Sequence, residues 1–240
     1  QKHFHPRKSE YWQCVDRKDL VITCAVTLIT NDPRDNTTKW SKESLSNLIP
    51  GETIFFDMNK DMDNKVLANW IKYADTIIGS NIQFDISYLR RFKNEYKLLL
   101  DGRHTYIDTT IVAYLWNELS SSRSLKKLGP LLGQFSYEES LGNNMRFNHA
   151  GDERLKSYNC QDTHNTILIL SELAKRIPNH SHKLTPFCIQ HYSDAINSVM
   201  TMSESGIPFS SLRLETLKDS MKEQIERSEK QAKDMGLILG

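Results

Sequence analysis

An α/β fold is the class that the sequence predicts, and three observations support it. Short segments rich in β-branched and aromatic residues alternate with segments whose apolar residues recur every three to four positions, as in layered strands and helices. With 240 residues, of which 38% are hydrophobic, the chain is long enough to bury a full core. Beyond residue 186 the pattern is helical throughout, which predicts a helical extension after a boundary near residue 180.

The predicted strands are runs of β-branched and aromatic residues bounded by turn residues. The first, residues 19–30, is expected to pair antiparallel with residues 37–40 across a turn-rich segment. A turn is predicted at residues 50–52. The later strands are residues 53–57, 75–78 and 106–108.

The predicted helices carry apolar residues at helical spacing, and the long helix near residue 170 is expected to end at the basic residues before Pro178. Residues 133–151 have little periodicity and are predicted to form a surface loop. A Gly-Ile-Pro break at 206–208 separates the last two helices. The helices are predicted near residues 63–73, 88–92, 109–119, 124–128, 152–173, 187–203 and 212–235.

Composition restricts the cell compartment more than the function. Lys and Arg total 31 against 30 Asp and Glu, so net charge neither supports nor excludes a nucleic-acid partner. The four cysteines lack paired close spacing, which predicts reduced thiols. No apolar run approaches the roughly 20 residues that span a bilayer, so we expect a soluble, cytoplasmic protein without a membrane partner.

Asp85 is the residue that points to chemistry. It interrupts an apolar segment just after the predicted strand at 75–78, where Asn81 lies at the change from strand to helix. Such a carboxylate is a helix cap, a solvated side chain or a group that meets a cation.

Three further motifs follow the one around Asp85 in the sequence. The four motifs, in order, are Asn81-x-x-Phe84-Asp85-x-x-Tyr88-Leu89, Asp108-Thr109, Leu125-Lys126-x-Leu128 and Tyr158-x-x-x-Asp162. Together they resemble the 3′–5′ exonuclease domain, of the tyrosine type, found in family-A DNA polymerases and especially in those of phages. Met202 and Gly206-Ile207, followed by a charged helix, resemble the segment that links this domain to the polymerase thumb.

The resemblance implies a fold and a domain organisation. Residues 1–180 would form an RNase H-like mixed sheet flanked by helices, without its first strand, and residues 181–240 would lead toward a polymerase thumb. The implied partner is the 3′ end of single-stranded DNA or of a primer-template, in the cytoplasm of a bacterial or phage-infected cell. The polymerase domain would lie on the same native chain.

The resemblance also implies a two-metal site. Two Mg²⁺ or Mn²⁺ ions activate water and stabilise the leaving oxygen, and such hard cations prefer carboxylate ligands, here Asp85 and Asp162. Tyr158, one helical turn before Asp162, would orient the attacking water. Asn81 and Phe84 would touch the terminal nucleotide, although Phe84 can equally belong to the core.

Two other motif residues have open interpretations. Asp108 is better explained as the cap of its helix than as a metal ligand. Lys126 and Lys127 either meet phosphates or form a solvated face.

One element of the family pattern is missing from the sequence. The family has an earlier strand with an Asp-x-Glu pair that holds the shared metal, and residues 1–17 contain no such pair. We therefore expect truncation at both ends, no DNA synthesis and poor exonuclease activity. Two alternatives remain: a degenerate exonuclease fold that only binds single-stranded DNA, and a structural helical partner protein in which the motif order is accidental.

Overall fold

The computed structural model describes most of the chain. Contacts divide it into two compact units, residues 1–201 and 202–240, and the domain boundary near residue 180 stays a prediction. Four predicted features lie outside the described residues: the chain before residue 23, residues 37–38, the loop at 133–150 and the break at 206–208. The described residues are 23–32, 34, 39–120, 123–132, 151–205 and 210–235.

Strands and helices alternate through the first unit, so the predicted α/β class is confirmed. Its strands are β1 (Thr23–Ile29), β2 (Pro50–Asp57), β3 (Thr76–Gly79) and β4 (Thr105–Asp108). The helices are α1 (Lys42–Ser46), α2 (Asp61–Tyr73), α3 (Ile82–Phe92), α4 (Asn94–Leu99), α5 (Thr109–Trp116), α6 (Leu125–Leu131), α7 (Glu153–Arg176), α8 (Pro186–Ser205) and α9 (Ser211–Asp234), with a 3₁₀ turn at His182–Leu184.

The four strands found among the described residues form two pairs. β1 and β2 are antiparallel, with Cys24 opposite Phe56, and β3 and β4 are parallel, with Gly79 opposite Asp108. Among the described residues neither β1 nor β3 has a strand partner on its other edge. The parallel pair brings the ends of β3 and β4 side by side, and both strands lead directly into a helix.

Side chains alternate between two hydrophobic clusters, as expected for strands with helices on both faces. Ile77 and Tyr106 pack into one cluster, whereas their neighbours Ile78 and Ile107 pack into the other. The pair of β3 and β4 therefore lies between the two clusters.

Helix α7 provides the largest part of one cluster. Ile169, Leu170 and Leu173 have no exposed surface, and burying each such side chain contributes about 2 kcal/mol. The helix packs against β1, β2 and β3. Its end before Pro178 confirms the predicted stop.

Two hydrogen bonds fix the rotation of α7 against β1. Asn159 Nδ2 donates to Thr23 Oγ1 over 2.6 Å, and Thr27 Oγ1 donates to Thr163 Oγ1 over 3.0 Å. Because successive helix residues are about 100° apart, the residues just before Asn159 and Thr163 point to a neighbouring side of the helix. Those residues are Tyr158 and Asp162.

The predicted strand at 37–40 is wrong for its described residues, Lys39 and Trp40. The partner of β1 is β2, which begins at Pro50 within the predicted turn. Trp40 is instead a buried anchor whose Nε1 donates to Thr76 Oγ1 over 2.8 Å. The short helix α1 follows it, and a capping box formed by Ser41 and Ser44 starts this helix.

The described residues of the second unit are 202–205, which end helix α8, and 210–235, which contain helix α9. Its apolar residues Leu214, Leu217, Met221 and Ile225 recur at helical spacing and are exposed. In the described part of the chain, no helix combines the length and the apolar character needed to cross a membrane.

Candidate active site

The Asp108 carboxylate joins the starts of two helices. It accepts hydrogen bonds from Thr110 N over 2.7 Å at the start of α5, and from Asn81 N and Ile82 N over 3.0 Å each at the start of α3. Its predicted role as a helix cap is confirmed. The bonds that Asp108 accepts from the start of α3 could not be predicted from sequence, because they arise from the parallel pairing of β3 with β4.

Asn81 has an unusual backbone conformation at this junction. Its φ of 57° is in the left-handed region, and no other described non-glycine residue has a positive φ. This conformation costs about 1 kcal/mol and is tolerated best by asparagine among residues with a side chain. It accompanies the two backbone N–H bonds to Asp108, and the Asn81 side chain makes no cap hydrogen bond.

Asp85 lies in the first turn of α3 and is not the helix cap, since Asn81 holds that position. Burial among surrounding protein atoms, together with the negative charge of Asp108, raises the pKa of Asp85 to about 7. The positive end of the helix dipole would by itself lower this pKa. Burial and the charge of Asp108 together outweigh it. The Asp85 side chain keeps exposed surface, and water therefore screens part of the effect.

Cys24 is a neighbour of Asp85 that the motifs did not suggest. Burial and then the charge of Asp85 raise the pKa of the Cys24 thiol to about 12, so it stays protonated. Cys24, Cys160 and Cys188 are free thiols, which confirms the prediction for the described cysteines. The interaction shows that β1 passes close to the start of α3.

Tyr158 and Asp162 form a hydrogen-bonded pair on α7. Burial, then the Asp162 charge and this hydrogen bond, raise the pKa of Tyr158 to about 12. The phenol therefore remains protonated at neutral pH and donates its hydrogen to the carboxylate. It can accept a hydrogen bond at its oxygen, but it cannot act as a base.

A groove brings α7 opposite the β3–α3 junction. Its volume is about 520 Å³, within the usual range for ligand sites. Asp85 is not among its lining residues, so the groove unites three of the five predicted site residues. The lining includes Asn81, Thr110, Arg123, Lys126, Tyr158 and Asp162.

Phe84 lies on the surface of α3 rather than in the core. It is 37% exposed, and its ring stacks on Tyr88 with centroids 6.5 Å apart and planes inclined by 19°. Such a pair offers an aromatic face on which a base can stack.

The carboxylate oxygens of Asp85 and Asp162 are the type of ligand that a hard divalent cation prefers. Asp85 is disfavoured as a carboxylate beside Asp108, and a cation would relieve this repulsion. Asp108 already accepts three backbone N–H groups, which leaves Asp85 and Asp162 as the candidate ligands. Among the described residues no group of three or more His, Cys, Asp or Glu side chains could hold a metal ion.

No family model matches this chain, and the searches of curated proteins and of solved structures give no match either. A functional assignment therefore rests on the residues and geometry described above.

Proposed function

We propose that this chain is the 3′–5′ exonuclease portion of a family-A DNA polymerase, acting in proofreading during DNA replication in a bacterial or phage-infected cell. The observation that carries the proposal is the groove in which the Tyr158–Asp162 pair faces Asn81. Asp85 stands one turn along the helix that Asn81 begins. The order of these residues in the sequence is that of the exonuclease motifs.

The arrangement of the strands supports the finer fold proposal. In an RNase H-like mixed sheet, the β1–β2 and β3–β4 pairs belong to one sheet, and a further strand joins them between β1 and β3. Both edges that such a strand would use lack a partner among the described residues. A strand in this place would carry the Asp-x-Glu pair close to Asp85, because Cys24 of β1 interacts with Asp85.

The proposed reaction is hydrolysis of the last phosphodiester bond of a DNA strand. Bound at Asp85 and Asp162, Mg²⁺ or Mn²⁺ ions would supply activation of water and stabilisation of the leaving oxygen. Tyr158 orients the water through its oxygen, since its hydrogen is held by Asp162. Asn81 hydrogen-bonds the terminal nucleotide, and Phe84 with Tyr88 offers a stacking face.

A second candidate function is binding of single-stranded DNA without hydrolysis. The observation in its favour is the small ligand set, because the described residues contain no group of three or more His, Cys, Asp or Glu side chains that could hold a metal ion. The groove, the basic side chains of Arg123 and Lys126 that line it, and the Phe84–Tyr88 pair would serve DNA binding equally well.

Trimming of single-stranded DNA labelled at its 5′ end tests the first function. We expect slow, stepwise loss of nucleotides from the 3′ end in Mg²⁺ or Mn²⁺, and no loss in EDTA. Asp162→Asn should remove the activity, and Tyr158→Phe should lower it at least about tenfold because the ring is kept and the hydroxyl is lost.

Three results would contradict the exonuclease proposal: shortening from the 5′ end, activity that persists in EDTA, or activity unchanged in Asp162→Asn. DNA binding by the wild-type chain without any trimming would instead favour the second function. All variants are purified in the same way, so a contaminating nuclease would appear equally in each.

A further inference from the structure

The structure distinguishes two adjacent lysines that the sequence leaves equivalent. Lys126 lines the groove with Tyr158 and Asp162, whereas Lys127, the next residue, does not. The Lys126 ammonium lies 5.4 Å from the centre of the Tyr158 ring. Both side chains are exposed, so exposure alone does not separate them.

Arg123 adds a second positive charge to the same wall of the groove. Its Nη2 donates to the Glu118 carbonyl oxygen over 3.0 Å, and its guanidinium lies 4.8 Å from the centre of the Tyr114 ring. Its Nε is buried and has no hydrogen-bond partner among the described residues. A buried guanidinium donor of this kind is suited to an anionic oxygen.

The lining of the groove therefore carries both signs of charge. Arg123 and Lys126 provide positive charge on the α6 side, whereas Asp162 provides negative charge on α7. A bound nucleotide chain needs carboxylates where ions hold the reacting phosphate, and cations where the following phosphates pass.

We propose that Lys126 binds a backbone phosphate of single-stranded DNA next to the linkage that is cut, with Arg123 at the same wall. This inference rests on the proposed function and names the phosphate contact of that site. Lys126 also lies beside the face of Tyr158, so the phosphate that it binds would fix the strand against the residue that orients water. Lys127 has no part in this contact.

Binding of single-stranded DNA at several salt concentrations tests the proposal without any hydrolysis. The full chain is titrated in EDTA into a short oligothymidylate with a 5′ fluorescein, and fluorescence anisotropy gives the affinity. Loss of one phosphate contact should reduce the slope of log K against log salt by about 0.7. We expect this change in Lys126→Gln, the wild-type slope in Lys127→Gln, and recovery in Lys126→Arg.

Oligonucleotides with one neutral methylphosphonate linkage identify the contact. At one linkage near the 3′ end, the neutral group should weaken wild-type binding and leave Lys126→Gln unaffected, because that variant has already lost the contact. A role of Lys126 restricted to packing on the Tyr158 ring would leave the salt slope unchanged, and this result would overturn the inference.

The inference and the proposed function fail in different ways. Equal slopes for Lys126→Gln and Lys127→Gln, in a chain that binds DNA, overturn the role of Lys126 alone. A wild-type chain that does not bind the oligonucleotide overturns both.

Discussion

Asp85 is the residue that first points to chemistry in the sequence. Its position in an apolar segment predicts an unusual carboxylate, and its pKa of about 7 agrees with that expectation. The sequence left a helix cap as an alternative, which the structure excludes because Asn81 occupies the cap position. Its neighbours Asp108 and Cys24 lie on the strands β4 and β1, far from Asp85 in sequence. Sequence spacing therefore could not reveal either neighbour.

The raised pKa of Asp85 predicts how stability depends on pH. Burial and the charge of Asp108 raise the pKa of Asp85 in the folded state toward about 7, and solvent at this exposed residue reduces the shift, whereas the unfolded chain releases the proton near 3.8. Stability from this residue is therefore present below about pH 4 and is lost as pH rises toward 7. Asp85→Asn, which stays neutral, should be more stable than wild type at about pH 8, with a difference that shrinks toward pH 4.

Urea denaturation in EDTA across this pH range measures the difference, since EDTA removes any effect of bound metal. Asp219→Asn, on the exposed face of α9, is the matched control and should follow the wild type. A constant difference between Asp85→Asn and wild type at all pH values would show that Asp85 titrates normally.

At the scale of elements, the junctions after β3 and β4 position the site. Both were predicted from local residues: small turn residues at Gly79-Ser80 mark the first, and Asp108 before a helix marks the second. Local signals sufficed because a strand end, a turn and a cap depend on neighbouring residues. The shared carboxylate could not be predicted, because it depends on which strands pair.

Asp108→Ala should destabilise the fold more than loss of an ordinary cap. Ile82 N and Thr110 N on two helices lose their acceptor, and Asn81 N keeps only its bond to Thr110 Oγ1 at 3.1 Å, so we expect a loss of about 2 kcal/mol or more. Asp152→Ala is the control, because the Asp152 carboxylate caps a single helix, α7, through Arg154 N, and it also accepts hydrogen bonds from the Arg154 guanidinium. It should lose about 1 kcal/mol.

Urea denaturation of both variants gives the two free energies of unfolding. Equal losses would mean that the two bonds from Asn81 and Ile82 contribute nothing to stability. The control removes one cap by the same chemical change, together with an ion pair to the exposed Arg154 side chain that contributes at most about 1 kcal/mol. A clearly larger loss in Asp108→Ala therefore reports the link between the two helices.

At the scale of the whole molecule, the alternation of strands and helices predicted the α/β class, but not the pairing of the strands. Residues 37–40 were expected to pair with the first strand because they follow it closely, whereas β2 is the actual partner of β1. Which strands pair depends on their packing against α7 and in the hydrophobic cluster that contains Phe56 and Tyr106. This packing joins residues that are far apart in sequence. Trp40 was misassigned for the same reason, since its anchor at Thr76 lies in another strand.

The candidate site was predicted in its residues more fully than in its geometry. Tyr158 and Asp162 share one helical face as their spacing requires, and the groove adds Asn81. Lys126 could not be separated from Lys127 by sequence, because the distinction depends on how α6 lies against α7. Asp85 does not line the groove with Asp162, and their joint role as metal ligands stays a prediction.

The central claim is that Asp85 and Asp162, from different helices, hold divalent cations in one site. Titration with Mn²⁺ followed by electron paramagnetic resonance tests it on the wild-type chain, Asp85→Asn, Asp162→Asn, the double variant and the Asp219→Asn control. We predict that each single site variant binds Mn²⁺ at least about tenfold more weakly, that the double variant is little weaker than either, and that the control matches wild type. Mn²⁺ binding that is the same in wild type, Asp85→Asn and Asp162→Asn would contradict the claim.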